Sequence, residues 1–173
     1  LTTVVTADLK LQKSLVNEPA EILKSDILVI ESTFGKPEYA FPSREKVYED
    51  MMGWISHNIR RNHFIVLSGY ATGKAQELTK FCNEFLDETP VVHEKIFAQN
   101  QACEKHGLKL GNYLKLDHNL KDANILLIPP THVDPNLFQG IEHFTGRKAL
   151  SAMATCWPGR RGFSKTFPLS DHA

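Results

Sequence analysis

The sequence predicts an α/β domain with a mostly parallel sheet that helices cover on both faces. Short continuous apolar runs occur at Ile27–Ile30, Phe64–Leu67 and Ile125–Ile128, the pattern of strands buried on both faces. Segments with helical spacing of apolar residues alternate with these runs along the 173 residues. Because alternating strands and helices build parallel sheets, this order predicts the fold class.

The first half of the chain begins with a β-rich segment, Leu1 to Asp8, that ends on a carboxylate. Apolar spacing then predicts a helix from Ser43 to about Ile59, with Ser43 as its N-cap. After the strand at 64–67, a second helix is predicted over Lys74–Leu86. Its buried face is expected to comprise Ala75, Leu78, Phe81, Cys82 and Phe85.

In the second half, Val91-Val92 is a candidate third strand and 97–105 a third helix. The strand at 125–128 is stopped by Pro129-Pro130, because proline cannot donate to a sheet ladder. Residues 136–144 predict a helix and 149–154 a final central strand. A last apolar run, Phe167-Pro168-Leu169, leads into Ser170-Asp171-His172.

The composition excludes several classes of function. Lys+Arg and Asp+Glu number 20 each, so no overall field attracts nucleic acid, and any such surface must be a local patch. The three cysteines (Cys82, Cys103 and Cys156) lack CxxC spacing, which favours a reducing compartment. With no membrane-length apolar stretch and no signal-peptide pattern, we expect a cytoplasmic protein that does not bind membranes.

Polar side chains follow three predicted strands. They are Asp8, Glu31 and the group Ser170-Asp171-His172. Because ligands of parallel sheets bind beyond the carboxyl ends of the strands, these residues form a candidate site. Each has an ordinary alternative: Asp8 as a solvated strand end or cap, Glu31 as a loop residue bonded to backbone, and His172 as a frayed end.

The loop Ser68–Lys74 follows a strand and opens a helix, a geometry that can direct backbone N–H groups at an anion. Its spacing is one residue short of a P-loop, and Ala75 stands where the magnesium-binding Ser or Thr would be. We reject a nucleotide-binding P-loop. A weaker phosphate contact by Lys74 and a simple tight turn both remain open.

The densest basic stretch contains Arg160, Arg161 and Lys165, shortly after Arg147-Lys148. It is a candidate nucleic-acid contact, with a solvated loop as the alternative. Cys156 is assigned to packing rather than to nucleophilic chemistry. The histidines show no HxH or HExxH spacing, so no histidine-rich metal site is predicted from them.

Read together, four segments resemble the β-CASP branch of the metallo-β-lactamase superfamily, whose members process RNA and DNA. VVTADLKL is similar to the strand of the fourth lactamase motif, although Ala7 replaces the usual glycine. SDILVIESTFG resembles motif A, SGYATGKAQEL the strand, loop and helix after it, and FPLSDHA motif B. The resemblance covers essentially the whole chain.

The resemblance implies roles for individual residues. Asp8 matches the aspartate that bridges two zinc ions, and Glu31 the acid that bonds the motif B histidine. His172 matches that histidine, the general acid for the leaving oxygen, and Ser170 a phosphate contact. Together with Lys74, Arg160 and Arg161 as substrate contacts, these residues predict a zinc-dependent nuclease acting on RNA or single-stranded DNA.

The other metal-binding motifs of that family are missing from this sequence, and both of its ends read as cut through larger elements. We therefore expect three parts: the end of a lactamase-like domain (1–35), an α/β cap (36–166) and a re-entry strand (167–173). The site would be completed by further lactamase segments, and this chain alone would be inactive. A homodimer is one open arrangement. The alternatives are a non-catalytic nucleic-acid-binding or assembly module and, last, an unrelated ATP-binding protein using Gly73-Lys74.

Overall fold

The computed structural model describes residues 1–117, 120–157 and 162–170. Within them, strands form at β1 Thr3–Val5, β2 Ile27–Val29, β3 Phe64–Ser68, β4 Val91–Val92, β5 Leu114–Lys115, β6 Ile125–Ile128, β7 Ala149–Ala154 and β8 Lys165–Phe167. Helices form at α1 Arg44–Arg60, α2 Lys74–Leu86, α3 Glu94–Lys105 and α4 Pro135–Thr145. The predicted α/β fold is confirmed.

The strands make a six-stranded sheet in the order β5-β4-β6-β3-β7-β8 and a separate pair, β1 with β2. Every strand pair is parallel. The central strands β3 and β6 are buried throughout, as their continuous apolar runs predict. β7 pairs with β3 on one side and with β8 on the other, so it is an interior strand as predicted, and β8 forms the edge.

Helices cover both faces of the large sheet. Side chains of α1, α2 and α3 pack on one face, around Ile65, Leu67 and Ile125. The other face carries Phe64, Val66 and Leu126, and α4 packs there through Ile141. Alternate residues of β3 therefore serve two separate cores, which explains why a strand of this kind tolerates no polar position until its end at Ser68.

Local signals account for the helix boundaries. The Ser43 side chain accepts a hydrogen bond from the Lys46 backbone N–H and so caps α1, as predicted. Asp134 caps α4 in the same way through Leu137, and Gly146 ends α4 in the left-handed region. On α2 the predicted buried face is confirmed except at Phe85, which is partly exposed beside Tyr48.

The β1–β2 pair contradicts one expectation. The run Ile27–Ile30 is predicted to be buried on both faces, yet each of its four side chains is about half exposed, between 46% and 54%. Among the described residues no layer packs over this pair as the helices pack over the large sheet. These apolar side chains would need another layer to bury them, and the described part of the chain does not provide one.

A buried ionic cluster joins α1 to α2. Arg44 Nη1 donates to Glu77 Oε1 at 2.9 Å, and both side chains are almost fully buried. The Tyr48 hydroxyl donates to the same carboxylate oxygen. Burial, together with the Glu77 charge, raises the pKa of Tyr48, so this hydroxyl stays protonated and remains a donor.

Within the described ranges of the chain, none of the helices combines the length and the apolar content that crossing a bilayer would need.

We expect Glu77→Gln to lower the free energy of unfolding by about 3–5 kcal/mol, because it leaves the Arg44 guanidinium buried without its carboxylate. Urea denaturation checks this value. The matched control is Glu18→Gln, which breaks the exposed 2.7 Å pair with Lys13 and should cost about 1 kcal/mol or less. Equal losses of unfolding free energy in the two variants would contradict a stabilising role for the buried Arg44–Glu77 pair.

A second prediction concerns His93, the N-cap of α3. Its Nδ1 accepts the Lys95 backbone N–H, and its ring lies 4.4 Å from that of His132. Burial first, and then the charge of His132, lowers the pKa of His93 below its ordinary 6.5. The stability from this group is therefore fully present above pH 6.5 and is lost as pH falls through the lowered pKa.

We expect His93→Asn, which caps a helix without titrating in this range, to flatten the decline of thermal stability below pH 6.5. Melting temperatures measured across a pH series test this. His57→Asn, at an exposed position of α1, is the control and should keep the slope of the parent protein. If the slope survives in His93→Asn, the acid sensitivity arises elsewhere.

Candidate functional site

The carboxyl ends of five strands meet at one cavity of about 400 Å³. Residues that follow β1, β2, β3, β7 and β8 all line it, among them Asp8, Phe34, Tyr70, Trp157 and Ser170. This is the edge where parallel sheets bind their ligands. The three segments predicted to carry chemistry, which follow β1, β2 and β8, thus reach a single region of the molecule.

Glu31 is tied to the segment that carries Asp8. One carboxylate oxygen accepts the backbone N–H of Leu9 at 3.3 Å, and the other accepts that of Thr33 at 3.1 Å. The Glu31 N–H in turn donates to Thr6 Oγ1. These bonds hold the Glu31 side chain against the segment that carries Asp8 and agree with the backbone-bonded alternative for Glu31. The expected contact between Glu31 and His172 stays a prediction.

The loop between β3 and α2 is a closed turn. The N–H groups of Gly73, Lys74 and Ala75 donate to Gln76 Oε1, to the Thr72 carbonyl and to the Tyr70 carbonyl respectively. The first amides of α2 are therefore used inside the loop, which supports the tight-turn interpretation over an anion-binding one. Gly69 is required here, since a Cβ would lie 2.7 Å from Lys74 Cγ.

Two buried cations hold the segment after β8. Lys74 Nζ donates to the Leu169 carbonyl at 2.7 Å, and Arg44 Nη2 donates to the Ser170 carbonyl at 2.6 Å. Thr155 of the β7 end also donates its N–H to the Phe167 carbonyl. The lysine and the arginine are only 3% and 4% exposed, so these are charge-assisted bonds in a region from which water is largely excluded.

This arrangement changes what Lys74 and Ser170 do. Lys74 lines the cavity, but its ammonium group is bonded to backbone, and its role as a substrate contact stays a prediction. Ser170 lines the same cavity as Asp8, with its carbonyl fixed by Arg44. His172, Arg160 and Arg161 lie outside the described residues.

The described residues do not by themselves make a metal centre. Across 1–117, 120–157 and 162–170, no three His, Cys, Asp or Glu side chains stand close enough to hold an ion. A structural zinc site takes four protein ligands and a catalytic one three, so Asp8 alone is insufficient. Zinc at this site requires ligands from residues other than the described ones.

The aromatic residues and the arginine of this site were not predicted from the sequence. From the sequence, Arg44 is only a polar residue in the first turn of α1. Its partner Ser170 lies 126 residues further along the chain, so no local pattern links the two. Phe34, Tyr70 and Trp157 follow strands, as Asp8 and Glu31 do. The signal that could have found them is the same one, namely a position just past a buried strand.

Comparison with known proteins gives several relatives, although no family model matches. The chain is 29% identical over 175 residues to a protein named "Probable DNA ligase" from Opitutus terrae, covering 97% of this chain and 16% of the relative. It is 24% identical over 156 residues to the transcription termination factor FttA of Cenarchaeum symbiosum, covering 88% of this chain and 24% of that protein.

Two further relatives match about half of the chain. The FttA protein of Methanothermobacter thermautotrophicus is 34% identical over 95 residues, 51% of this chain and 15% of its own length. An RNase J-like protein of Methanocaldococcus jannaschii is 28% identical over 74 residues, 43% of this chain and 18% of its own. The chain thus spans a quarter or less of each of these relatives. At low identity, the FttA and RNase J-like relatives support the β-CASP branch of the metallo-β-lactamase superfamily.

Proposed function

We propose that this chain is part of a zinc-dependent β-CASP nuclease that hydrolyses phosphodiester bonds in RNA or DNA. The observation that carries the proposal is that Asp8 and Ser170 line one cavity and that Glu31 is bonded to the segment that carries Asp8. These segments resemble three motifs of one family, and each follows the carboxyl end of a parallel strand. The relatives named FttA and RNase J-like protein support the same conclusion.

The proposal gives each residue a limited task. Asp8 serves as one zinc ligand, with the remaining ligands supplied by lactamase segments of the complete protein. Glu31 orients His172, which donates a proton to the departing oxygen. Arg44 and Lys74 hold the carbonyls of Ser170 and Leu169, so that the segment that precedes His172 in sequence is fixed in place.

The three-part division of the chain belongs to the same proposal. Residues 1–35 contain the β1–β2 pair with its exposed apolar faces, which we assign to contact with the remaining lactamase segments. Residues 36–166 contain nearly all of the six-stranded sheet and form the cap. The segment 167–173 begins at the last residue of β8 and carries the motif B residues.

The choice between RNA and DNA rests on the relatives alone. The similarity that spans 97% of the chain is to a protein named as a probable DNA ligase, which favours a DNA strand. The RNase J-like name favours RNA. Matched single-stranded DNA and RNA substrates, assayed side by side with the complete protein, distinguish the two. Binding without cleavage of either would instead support a non-catalytic module.

We expect His172→Ala in the complete protein to reduce cleavage by roughly 10²–10⁴-fold while zinc content stays unchanged, as removal of a general acid does. Asp8→Asn should lower both cleavage and bound zinc, because it weakens a ligand. Zinc per protein from elemental analysis and single-turnover cleavage rates give the two readouts. His57→Ala, at an exposed position, is the control. Loss of zinc in His172→Ala would make that histidine a ligand and contradict the acid role.

Arg160 and Arg161 are proposed to contact phosphates of the substrate. Reversing both charges should weaken binding and reduce the slope of log affinity against log salt, by about 0.7 for each single-strand phosphate that the protein no longer neutralises. The chain offers a matched control in the exposed pair Arg60 and Arg61 at the end of α1. If the two double variants change the slope equally, the effect reflects net charge and not a phosphate site.

A further inference from the structure

An aromatic cluster lies beside the cavity. Phe34 and Trp157 line the cavity, and Tyr39 and Phe41 pack against Phe34. The Phe34 ring centroid lies 5.1 Å from that of Tyr39, 5.0 Å from that of Phe41 and 5.2 Å from that of Trp157. These spacings are those of favourable aromatic pairs. Phe34 is buried by its neighbours, whereas the Trp157 ring is not.

Trp157 is held in place although it is exposed. Its backbone N–H donates to Thr155 Oγ1 at 3.2 Å, and Thr155 is buried at the end of β7. Phe34 packs against one part of the indole ring. A residue with 44% of its surface open to solvent is thus fixed by a backbone bond and a buried ring. Such a rigid aromatic group loses little conformational entropy when a ligand stacks on it.

The setting of Trp157 indicates what stacks there. The cavity that it lines also contains Asp8, Ser170 and the half-exposed Tyr70. A protein or lipid partner would require a contiguous apolar patch. This cavity instead alternates aromatic faces with polar groups, and its volume suits a ligand the size of a nucleotide.

We propose that Trp157 is a stacking platform for an unpaired nucleobase of a single-stranded nucleic acid. The proposal rests on the proposed function, because it places one base of the substrate beside Asp8 and Ser170. Stacking on an aromatic face is tolerant of sequence, since every base has a π face. The site would therefore select single strands over duplexes without reading a particular base.

The experiment is a set of binding titrations with the complete, zinc-loaded protein and phosphorothioate-linked strands, which resist cleavage. The probes are fluorescein-labelled oligothymidylate, its fully abasic counterpart, and strands with one abasic position moved along the sequence. Parent protein should bind the base-containing strand about 5- to 150-fold more tightly than a strand abasic at the stacked position. Trp157→Ala should abolish that preference while leaving the affinity for the abasic strand unchanged.

The control variant is Phe144→Ala, which removes an exposed aromatic ring near the end of α4, at the opposite edge of the sheet. It should keep the full preference, and circular dichroism should show all three proteins folded. Equal weakening of base-containing and abasic strands by Trp157→Ala would overturn the stacking role, as would no change at all. In either case the proposed function stands if the parent protein still binds these strands and, in a separate assay, cleaves ordinary phosphodiester strands. Failure of the parent to bind any strand would overturn both.

Discussion

The burial of two cations, Arg44 and Lys74, is the constraint on which the rest of this structure depends. A charged group removed from water must be matched by a counter-charge or by several hydrogen bonds, or folding is penalised by several kcal/mol. Glu77 and the Tyr48 hydroxyl supply part of that match, and the carbonyls of Leu169 and Ser170 supply another part. The ion pair is thus satisfied only when α1, α2 and the segment after β8 are all in place.

This requirement connects stability to the candidate site. The cluster lies between the helices of one face and the carboxyl edge of the sheet, so the geometry of the 167–170 segment is set by groups that also hold α1 against α2. Positioning through buried, charge-assisted bonds is more rigid than positioning by an exposed loop. Ser170 is therefore held at a fixed point beside the cavity that Asp8 and Trp157 line.

The β1–β2 pair shows the opposite situation. Its parallel register is complete, from Thr3 opposite Ile27 to Val5 opposite Val29, and Glu31 secures its end to the Asp8 segment. The pair nevertheless leaves its apolar side chains half exposed. Hydrogen bonds between strands are satisfied locally, whereas burial requires a second layer. The two strands lead into Asp8 and Glu31 while their own faces remain uncovered in the described chain.

Local sequence patterns determined most of the secondary structure. Ser43 caps α1 because its hydroxyl reaches an amide only three residues away, and the bounds of α2 follow from a glycine turn and a helical apolar stripe. The fold class and the alignment of Asp8, Glu31 and Ser170 at one edge follow from strand order, which the alternation of elements also predicts. These features depend on neighbours in sequence or on general rules of parallel sheets.

Only the tertiary structure decided the rest. The bond from Arg44 to Ser170 and the contact of Phe34 with Trp157 join residues more than a hundred positions apart, and no local pattern marks them as partners. The burial of Ile27–Ile30 was predicted wrongly for the same reason. An apolar run indicates that a covering layer is needed, but not which part of the chain provides it. Periodicity indicates which side chains of a segment need to be buried. Packing in the tertiary structure decides which distant residues bury them.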